Sequence, residues 1–327
     1  MTSTTSGNVN KTVRLVVVMD PISDIKPAKD TTLAMLLAAQ ARGWELWYAE
    51  QGDLWLRDGV PMARLKPVTV KNDLQDWYRF GESQIQGLAE FDVILMRKDP
   101  PFDMEYIYTT YILDRAEHAG ILVVNRPQGL RDMNEKVYTA WFPQCCAPTL
   151  ITRRMPDMQA FLEEYDTIVC KPLYGMGGRS IFVIHRGDKN ANVIFETLTD
   201  YGSQFAIVQR YLPEIATTGD SRVLVIDGEA APYALARMPS STDNRGNLAA
   251  GAKGVGRELN ERDRWLVNQI GPTLRERGML FVGLDVIGGY VTEINVTSPT
   301  GVRELDKQFG TDIASLLMDA IERRMGG

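Results

Sequence analysis

The chain has 327 residues, 44% hydrophobic and 24% charged, with a formal net charge of −6. That is room for two or three domains around a large core, and the acidic balance argues against a nucleic-acid binder. No apolar run approaches the ~18 residues that span a bilayer, and Cys145, Cys146 and Cys170 form neither a disulfide framework nor a metal-ligand spacing, which fits a reducing cytoplasm.

Residues 1–11 are polar sequence without a signal-peptide pattern and are expected to be a disordered tail. Strand and helix then alternate. Buried strands are expected over 13–19, 45–49, 92–96 and 121–124. Asp30 or Thr31 caps a helix with an apolar face at Leu33, Leu36 and Leu37, and Gly43 stops it. A second helix is expected over 103–119, ended by Gly120. Helices of this length between strands predict a parallel α/β sheet, with 51–70 as small extra strands. Ligands of such sheets bind beyond the carboxyl ends of the strands. Two ends here are polar, Asp20-Pro-Ile-Ser23 and Arg97-Lys98-Asp99-Pro100-Pro101. Taken alone, the second reads as a solvated loop stiffened by proline. Arg97 also carries the planar fork that pairs a carboxylate bidentately.

Asn134-Glu135-Lys136 opens a helix through Val137, Ala140 and Trp141. A lysine in a first helical turn opposes the dipole unless an anion is bound there. A strand near 149–152 and a helix near 156–164 follow. A strand over 167–170 then delivers Lys171-Pro-Leu-Tyr-Gly-Met-Gly-Gly-Arg-Ser180, and 181–184 returns. Gly175, Gly177 and Gly178 let the backbone turn with φ > 0 and bring amide groups close to an anion. Lys171 stands at the strand's end, and Ser180 adds a hydroxyl. The stretch reads either as a flap over nucleotide phosphates or as an ordinary hairpin that needs glycine. It is no Walker A loop, because the lysine precedes the glycines and a strand follows.

A helix is expected near 193–201 and a strand over 205–208. The strand runs into Gln209-Arg-Tyr-Leu-Pro213, a hinge whose free backbone groups suit an adenine edge. Asp220 and Arg222 precede the apolar run 223–226, and Asp227-Gly228 is a hairpin signal. The partner strand 231–236 ends at Arg237, so the two arginines are expected near each other. Residues 239–256 are a long polar loop, and 259–278 a helix. Strands over 281–287 and 290–295 flank Gly288-Gly289. Glu293 and Asn295, two apart, share a face, and Asp285 lies across the hairpin. Two carboxylates and an amide oxygen form a hard-oxygen set suited to Mg²⁺ shared with phosphates. Apolar neighbours favour ligation over an unpartnered buried Glu293. His118 and His185 have no Ser or Cys partner in view, which argues against a His-activated nucleophile.

Lys136, Lys171 with its Gly-rich hairpin, Gln209–Leu212, and Asp285 with Glu293-Ile-Asn295 together resemble the ATP-grasp superfamily. The match narrows at Met19-Asp-Pro-Ile22, Leu95-Met-Arg-Lys-Asp-Pro-Pro-Phe-Asp103, Arg131-Asp-Met-Asn-Glu-Lys136, Arg245-Gly-Asn-Leu-Ala-Ala-Gly251 and Glu293-Ile-Asn-Val-Thr-Ser-Pro-Thr300. These stretches resemble the bacterial type of glutathione synthetase over nearly the whole chain after Lys11. One departure is Tyr174, where an acidic residue is expected.

The resemblance implies an α/β protein: an N-terminal α/β substrate domain over 12–130, an ATP-grasp small lobe over 131–211, and a C-terminal lobe over 212–327 with the metal site. It implies ATP-dependent ligation of γ-glutamylcysteine and glycine through an acyl phosphate, with Mg²⁺ or, in its place, Mn²⁺. The partners are then small molecules, with no nucleic acid or membrane, in a cytoplasmic homotetramer. Lys136, Lys171, Gly175, Gly177, Gly178 and Ser180 would hold the phosphates, Gln209, Arg210, Tyr211 and Leu212 the adenine, and Asp220 the ribose. Arg222 and Arg237 would stabilise the intermediates. Arg97, Asp99, Ser298 and Thr300 would seat the substrates. An acyl phosphate must be kept from water, so the loop 239–253 is expected to be a mobile lid that brings Arg245 and Asn247 to it. The alternatives are another ATP-grasp carboxylate–amine ligase and a non-catalytic ATP-binding regulator. The metal trio argues against the regulator, and the long matches at 97–102 and 245–251 argue against other ligases.

Overall fold

The structure, a computed structural model, describes residues 12–175, 180–238 and 253–326. The expected tail, Gly177, Gly178, Arg245, Asn247 and nearly all of the expected lid lie outside them. No described helix is long and apolar enough to cross a membrane.

Strand β1 (Arg14–Val18) is apolar on both faces after Arg14, so it belongs inside a sheet covered on both sides. After it come α1 (Thr31–Ala41), β2 (Glu45–Ala49), β3 (Leu54–Arg57), β4 (Val60–Val70), β5 (Tyr78–Phe80), β6 (Gln84–Gly87), β7 (Val93–Met96), α2 (Met104–His118), β8 (Leu122–Val124) and α3 (Pro127–Asp132). The sheet order is β3-β4-β2-β1-β7-β8. Its β2-β1-β7-β8 core is parallel, and β4 adds antiparallel to β2. Strands β5 and β6 carry little apolar alternation; they are held by pairing with β4, which no local pattern signals. Helix α3 is too short for a periodicity. Asp30 and Asp103 cap their helices, accepting from Leu33 N–H at 2.6 Å and Tyr106 N–H at 3.0 Å. Because the chain leaves β1 for β2 on one side and β7 pairs on the other, the ends of β1 and β7 form a topological switch point.

The chain then reaches Lys136, which opens a 3-10 turn, Val137–Trp141, rather than the expected α-helix. Asn134 Oδ1 takes the N–H groups of Lys136 and Val137 at 3.1 and 3.0 Å, and Pro143 begins a second short turn that stops the first from lengthening. Next come β9 (Thr149–Thr152), α4 (Met155–Tyr165), β10 (Thr167–Pro172), β11 (Phe182–His185), α5 (Ala191–Thr199) and β12 (Ala206–Arg210). The strands form an antiparallel sheet, β11-β10-β12-β9. Ile168 and Cys170 alternate to one face, as do Ala206 and Val208, and meet Leu162 and Phe195 there.

The last lobe holds β13 (Asp220–Ile226), β14 (Glu229–Met238), β15 (Lys253–Glu258), α6 (Glu261–Glu276), β16 (Phe281–Ile287), β17 (Tyr290–Asn295), α7 (Val302–Phe309) and α8 (Ile313–Met325). Its antiparallel sheet runs β15-β14-β13-β16-β17. The long polar loop thus ends sooner than expected: β15 pairs with β14 from Lys253 on. Gly256 is needed there, since a Cβ would stand 2.3 Å from the ring of Phe309.

The first and last domains share their cores. Leu113 and Leu130 pack in one cluster with Leu266, Ile270 and Val282, and Leu15 and Leu36 in another with Leu317 and Ile321. The middle lobe has a cluster of its own. Asn125 fastens the seam: its Oδ1 accepts Phe281 N–H at 2.9 Å, and its Nδ2 donates to Phe281 O at 2.8 Å and Val296 O at 2.7 Å. Asn125→Ala leaves those three buried groups unpaired, so about 3 kcal/mol or more of stability should be lost. Urea unfolding checks this, and a midpoint equal to wild type would show that the seam does not depend on Asn125.

Candidate active site

The C-terminal sheet sets charged side chains in rows. Asp285 of β16 lies opposite Arg222 of β13 on one side and Glu293 of β17 on the other. Asp220 lies two residues before Arg222, on the same face, opposite Arg237 of β14. Arg222 Nε donates to Asp285 Oδ1 at 2.6 Å and its Nη2 to Oδ2 at 3.2 Å. Arg237 Nη2 lies 2.9 Å from Asp285 Oδ2 and also pairs with Asp220. The two arginines therefore meet, as expected, but through Asp285. Gly283 makes room for them: a Cβ there would stand 2.7 Å from Arg222 Cδ.

Burial alone would raise the Asp285 carboxyl, but Arg222 and Arg237 outweigh it and hold the group well below the usual carboxylate range. Asp220 goes the other way. Burial pushes its carboxyl up to about 7 against the pull of Arg237, and its Oδ1 has no partner among the described residues.

Lys136 enters from the edge of the same sheet. Glu135 O accepts Ile294 N–H at 2.8 Å, which adds this segment to β17. The Lys136 ammonium pairs with the Glu135 carboxylate, donates to Gly175 O at 3.2 Å and lies 3.9 Å from Glu293 Oε1. Burial would lower its pKa, but Glu293 and Glu135 raise it, so the charge is held. Glu135 is a site residue the sequence reading missed. Its signal is adjacency to Lys136.

Lys171 is buried at the end of β10, opposite Ile207. The turn after it has Gly175 at φ +99° and Ser180 at φ 56°, and Tyr174, the departure from the family pattern, is exposed. On the hinge, Gln209 is buried with Nε2 on Thr149 Oγ1 at 3.2 Å. Arg210 and Tyr211 donate their N–H groups to Pro148 O and Thr167 O at 3.0 Å each. Those two donors are therefore already used, while Leu212 is a buried apolar side chain beside them.

The switch point of the N-terminal sheet gathers the remaining candidates. Arg97 is buried rather than solvated, with Nε on Thr32 Oγ1 at 3.1 Å and Nη2 on Pro299 O at 3.0 Å. Asp20 accepts Asp99 N–H and the Lys98 ammonium, at 2.9 Å each, and Asp99 accepts the Ser298 hydroxyl. Thr300 is exposed, and its carbonyl accepts Arg222 Nη1 at 3.3 Å. Among the described residues the two histidines bond only Asp114 O and Thr167 Oγ1.

The donor set fits a divalent cation. Glu293 is half-buried and accepts no hydrogen bond among the described residues, and Asn295 ties its Nδ2 to Gly283 O at 3.3 Å, which leaves Oδ1 free. Asp285 would share its oxygens between the cation and the arginines. Among the described residues no three His, Cys, Asp or Glu side chains form a metal cluster, so the amide of Asn295 is needed to complete the set.

Comparison with known proteins gives consistent results. Residues 13–131 match the family model of the prokaryotic glutathione synthetase N-terminal domain, and 135–310 that of its ATP-grasp domain. A curated glutathione synthetase from Pseudomonas putida is 58% identical over 96% of this chain and 98% of its own. One from Escherichia coli is 53% identical over 96% and 99%. Among solved structures, D-cycloserine synthetase DcsG superposes with a TM-score of 0.67 at 17% identity, over 95% of this chain and 99% of that one. The ATP-grasp ligase PsnB, complexed with a minimal precursor, Mg and ADP, superposes at 0.60 and 16%, over 96% and 98%. These last two speak for the fold.

Proposed function

The chain belongs to the prokaryotic glutathione synthetase family, and on that premise we propose how its residues divide the work. It is an ATP-dependent ligase that joins γ-glutamylcysteine to glycine. The observation that carries the site is the row Arg222–Asp285–Glu293, which faces Lys136 across the edge of one sheet. Lys136, Lys171, the Gly175 turn and Ser180 hold the triphosphate. Gln209 to Leu212 line the adenine, and Asp220 takes a ribose hydroxyl with the oxygen Arg237 leaves free. Mg²⁺, when bound by Glu293, Asn295 and Asp285, neutralises phosphate charge; Mn²⁺ suits the same oxygen donors.

The cysteinyl carboxylate of the substrate attacks the γ-phosphorus and ADP leaves. The glycine amine then adds to the acyl-phosphate carbonyl, loses its proton, and phosphate departs. Arg222 and Arg237 lie where negative charge develops on the acyl oxygen and are already oriented by Asp285, so little reorganisation is needed. Arg97, Asp99, Ser298 and Thr300 seat the two substrates at the switch point. In this reading the enzyme is a cytoplasmic homotetramer, which sedimentation of the purified protein checks.

The direct test is phosphate release from ATP with γ-glutamylcysteine and glycine, each omitted in turn. Release should require the dipeptide and be fastest with both. Release with D-alanine alone, and none with the full set, would overturn the reading. Lys171→Ala should weaken ATP binding about 10- to 100-fold and γ-glutamylcysteine binding little. Equal loss of both by calorimetry would point to misfolding instead.

A further inference from the structure

Helix α2 is apolar on two sides. Its inner side, with Tyr106, Leu113 and Ala116, packs in the core. Met104, Tyr108 and Tyr111 stand on the outer side, 53, 51 and 49% exposed. Steps of four and three residues set them in one stripe, and Arg115 and His118, both exposed, continue it. A helix whose outer face meets only water carries polar residues there, so an apolar outer stripe calls for a cover. The turn between β3 and β4 widens the patch. Its Gly59 O accepts Arg115 Nε at 3.2 Å, and Leu56 and Val60 of the same hairpin are nearly half exposed. The stripe is also held still. The Arg131 guanidinium lies 4.9 Å from the centre of the Tyr111 ring and is itself fixed on Thr110 Oγ1 at 2.9 Å and Asp114 Oδ2 at 2.6 Å. A side chain already immobilised loses little entropy when a partner covers it.

We propose that this stripe is the face on which a second copy of the chain docks, α2 against α2, antiparallel about a two-fold axis. The proposal rests on the homotetramer part of the reading above. Charge decides the occupant. In a two-fold contact one end of the stripe meets the other end of its copy. The midpoint falls between Tyr108 and Tyr111, so the tyrosines meet at the axis. Glu105 then stands within one residue of the level of the partner's Arg115, on the same side of the stripe, and Arg115 stands likewise by the partner's Glu105. One helix thus supplies both halves of two ion pairs. Neither Glu105 nor Arg115 has an ion-pair partner in its own chain among the described residues. Asp114 borders the opposite flank and is already answered by Arg131. A membrane surface fits poorly. An interfacial helix carries lysine and arginine beside its apolar face, whereas Glu105 and Asp114 border this one in a chain of net charge −6.

Sedimentation of the intact protein reads the assembly. Glu105→Arg and Arg115→Glu each set like charges against each other twice per contact. Each should raise its dissociation constant about 100-fold or more and give particles of half the wild-type mass. An equimolar mixture of the two variants should regain the wild-type mass, because each mixed contact joins an arginine to a glutamate at both positions. Tyr108→Glu should also halve the mass, and mixing it with either charge variant should not restore it. Wild-type mass in any of the three variants would overturn the face. So would a mixture of the two charge variants that stays at half mass while both bind ATP. If Arg115→Glu does not fold, Glu105→Arg and Tyr108→Glu decide alone, and wild-type mass in either rejects the face. A monomeric wild type would reject the homotetramer together with this face. Phosphate release is measured on the same samples, and its absence from the wild type would reject the ligase reading while the sedimentation result stands.

Discussion

Glu293→Gln should leave a folded protein whose turnover is about 100- to 1000-fold lower. Glutamine keeps the shape and one oxygen but removes an anion from the cation's donor set. Asp285 is unable to compensate, because Arg222 and Arg237 already occupy both its oxygens. The fold should tolerate the change well. Glu293 accepts no hydrogen bond among the described residues, and burial and then Glu293 itself push up the carboxyl of Glu135. Removing the Glu293 charge relieves that repulsion, although Lys136 loses one of its two neighbouring anions. The thermal midpoint should therefore stay close to wild type while kcat falls. A folded variant with near-normal kcat would remove Glu293 from the metal site.

Asp285→Ala should be damaging in another way. It leaves Arg222 and Arg237, which are 7% and 6% exposed, without the carboxylate that both address. Breaking a buried pair from one side costs about 3–5 kcal/mol, because the surviving charge stays desolvated. Here there are two survivors, though Asp220 still answers Arg237. Urea unfolding should show a loss in that range, and activity should disappear. The double change Asp285→Ala with Arg222→Met should recover part of the stability and none of the activity. A single variant as stable as wild type would mean that the row is held by packing and not by charge.

The charged rows were largely legible in the sequence, because strand alternation alone fixes which residues share a face. Glu293 and Asn295 needed only their spacing, and Asp285 only the hairpin. What alternation does not give is pairing between strands distant in the chain. The sequence placed Arg222 near Arg237, but that Asp285 lies between them depends on β13 pairing with β16. Arg97 was hidden for a similar reason. Its loop looks solvated until Pro299, some two hundred residues on, covers it. The turn at Lys136 was mistaken for an α-helix because Asn134 caps either kind, and only Pro143 distinguishes them.

The shared cores bear on how the chain is made. Synthesis delivers β1 and α1 well before α8, yet Leu36 packs in the same cluster as Leu317 and Ile321 of that later helix. Arg42, just past α1, reaches Ser315 at 3.1 Å and pairs with Asp319. The N-terminal domain thus leaves the ribosome with an open apolar flank that is closed only once α8 has followed it. The middle lobe needs nothing from either end to close its core. It is the part able to fold while the chain is still growing, and the N-terminal domain is the part whose core must wait for α8.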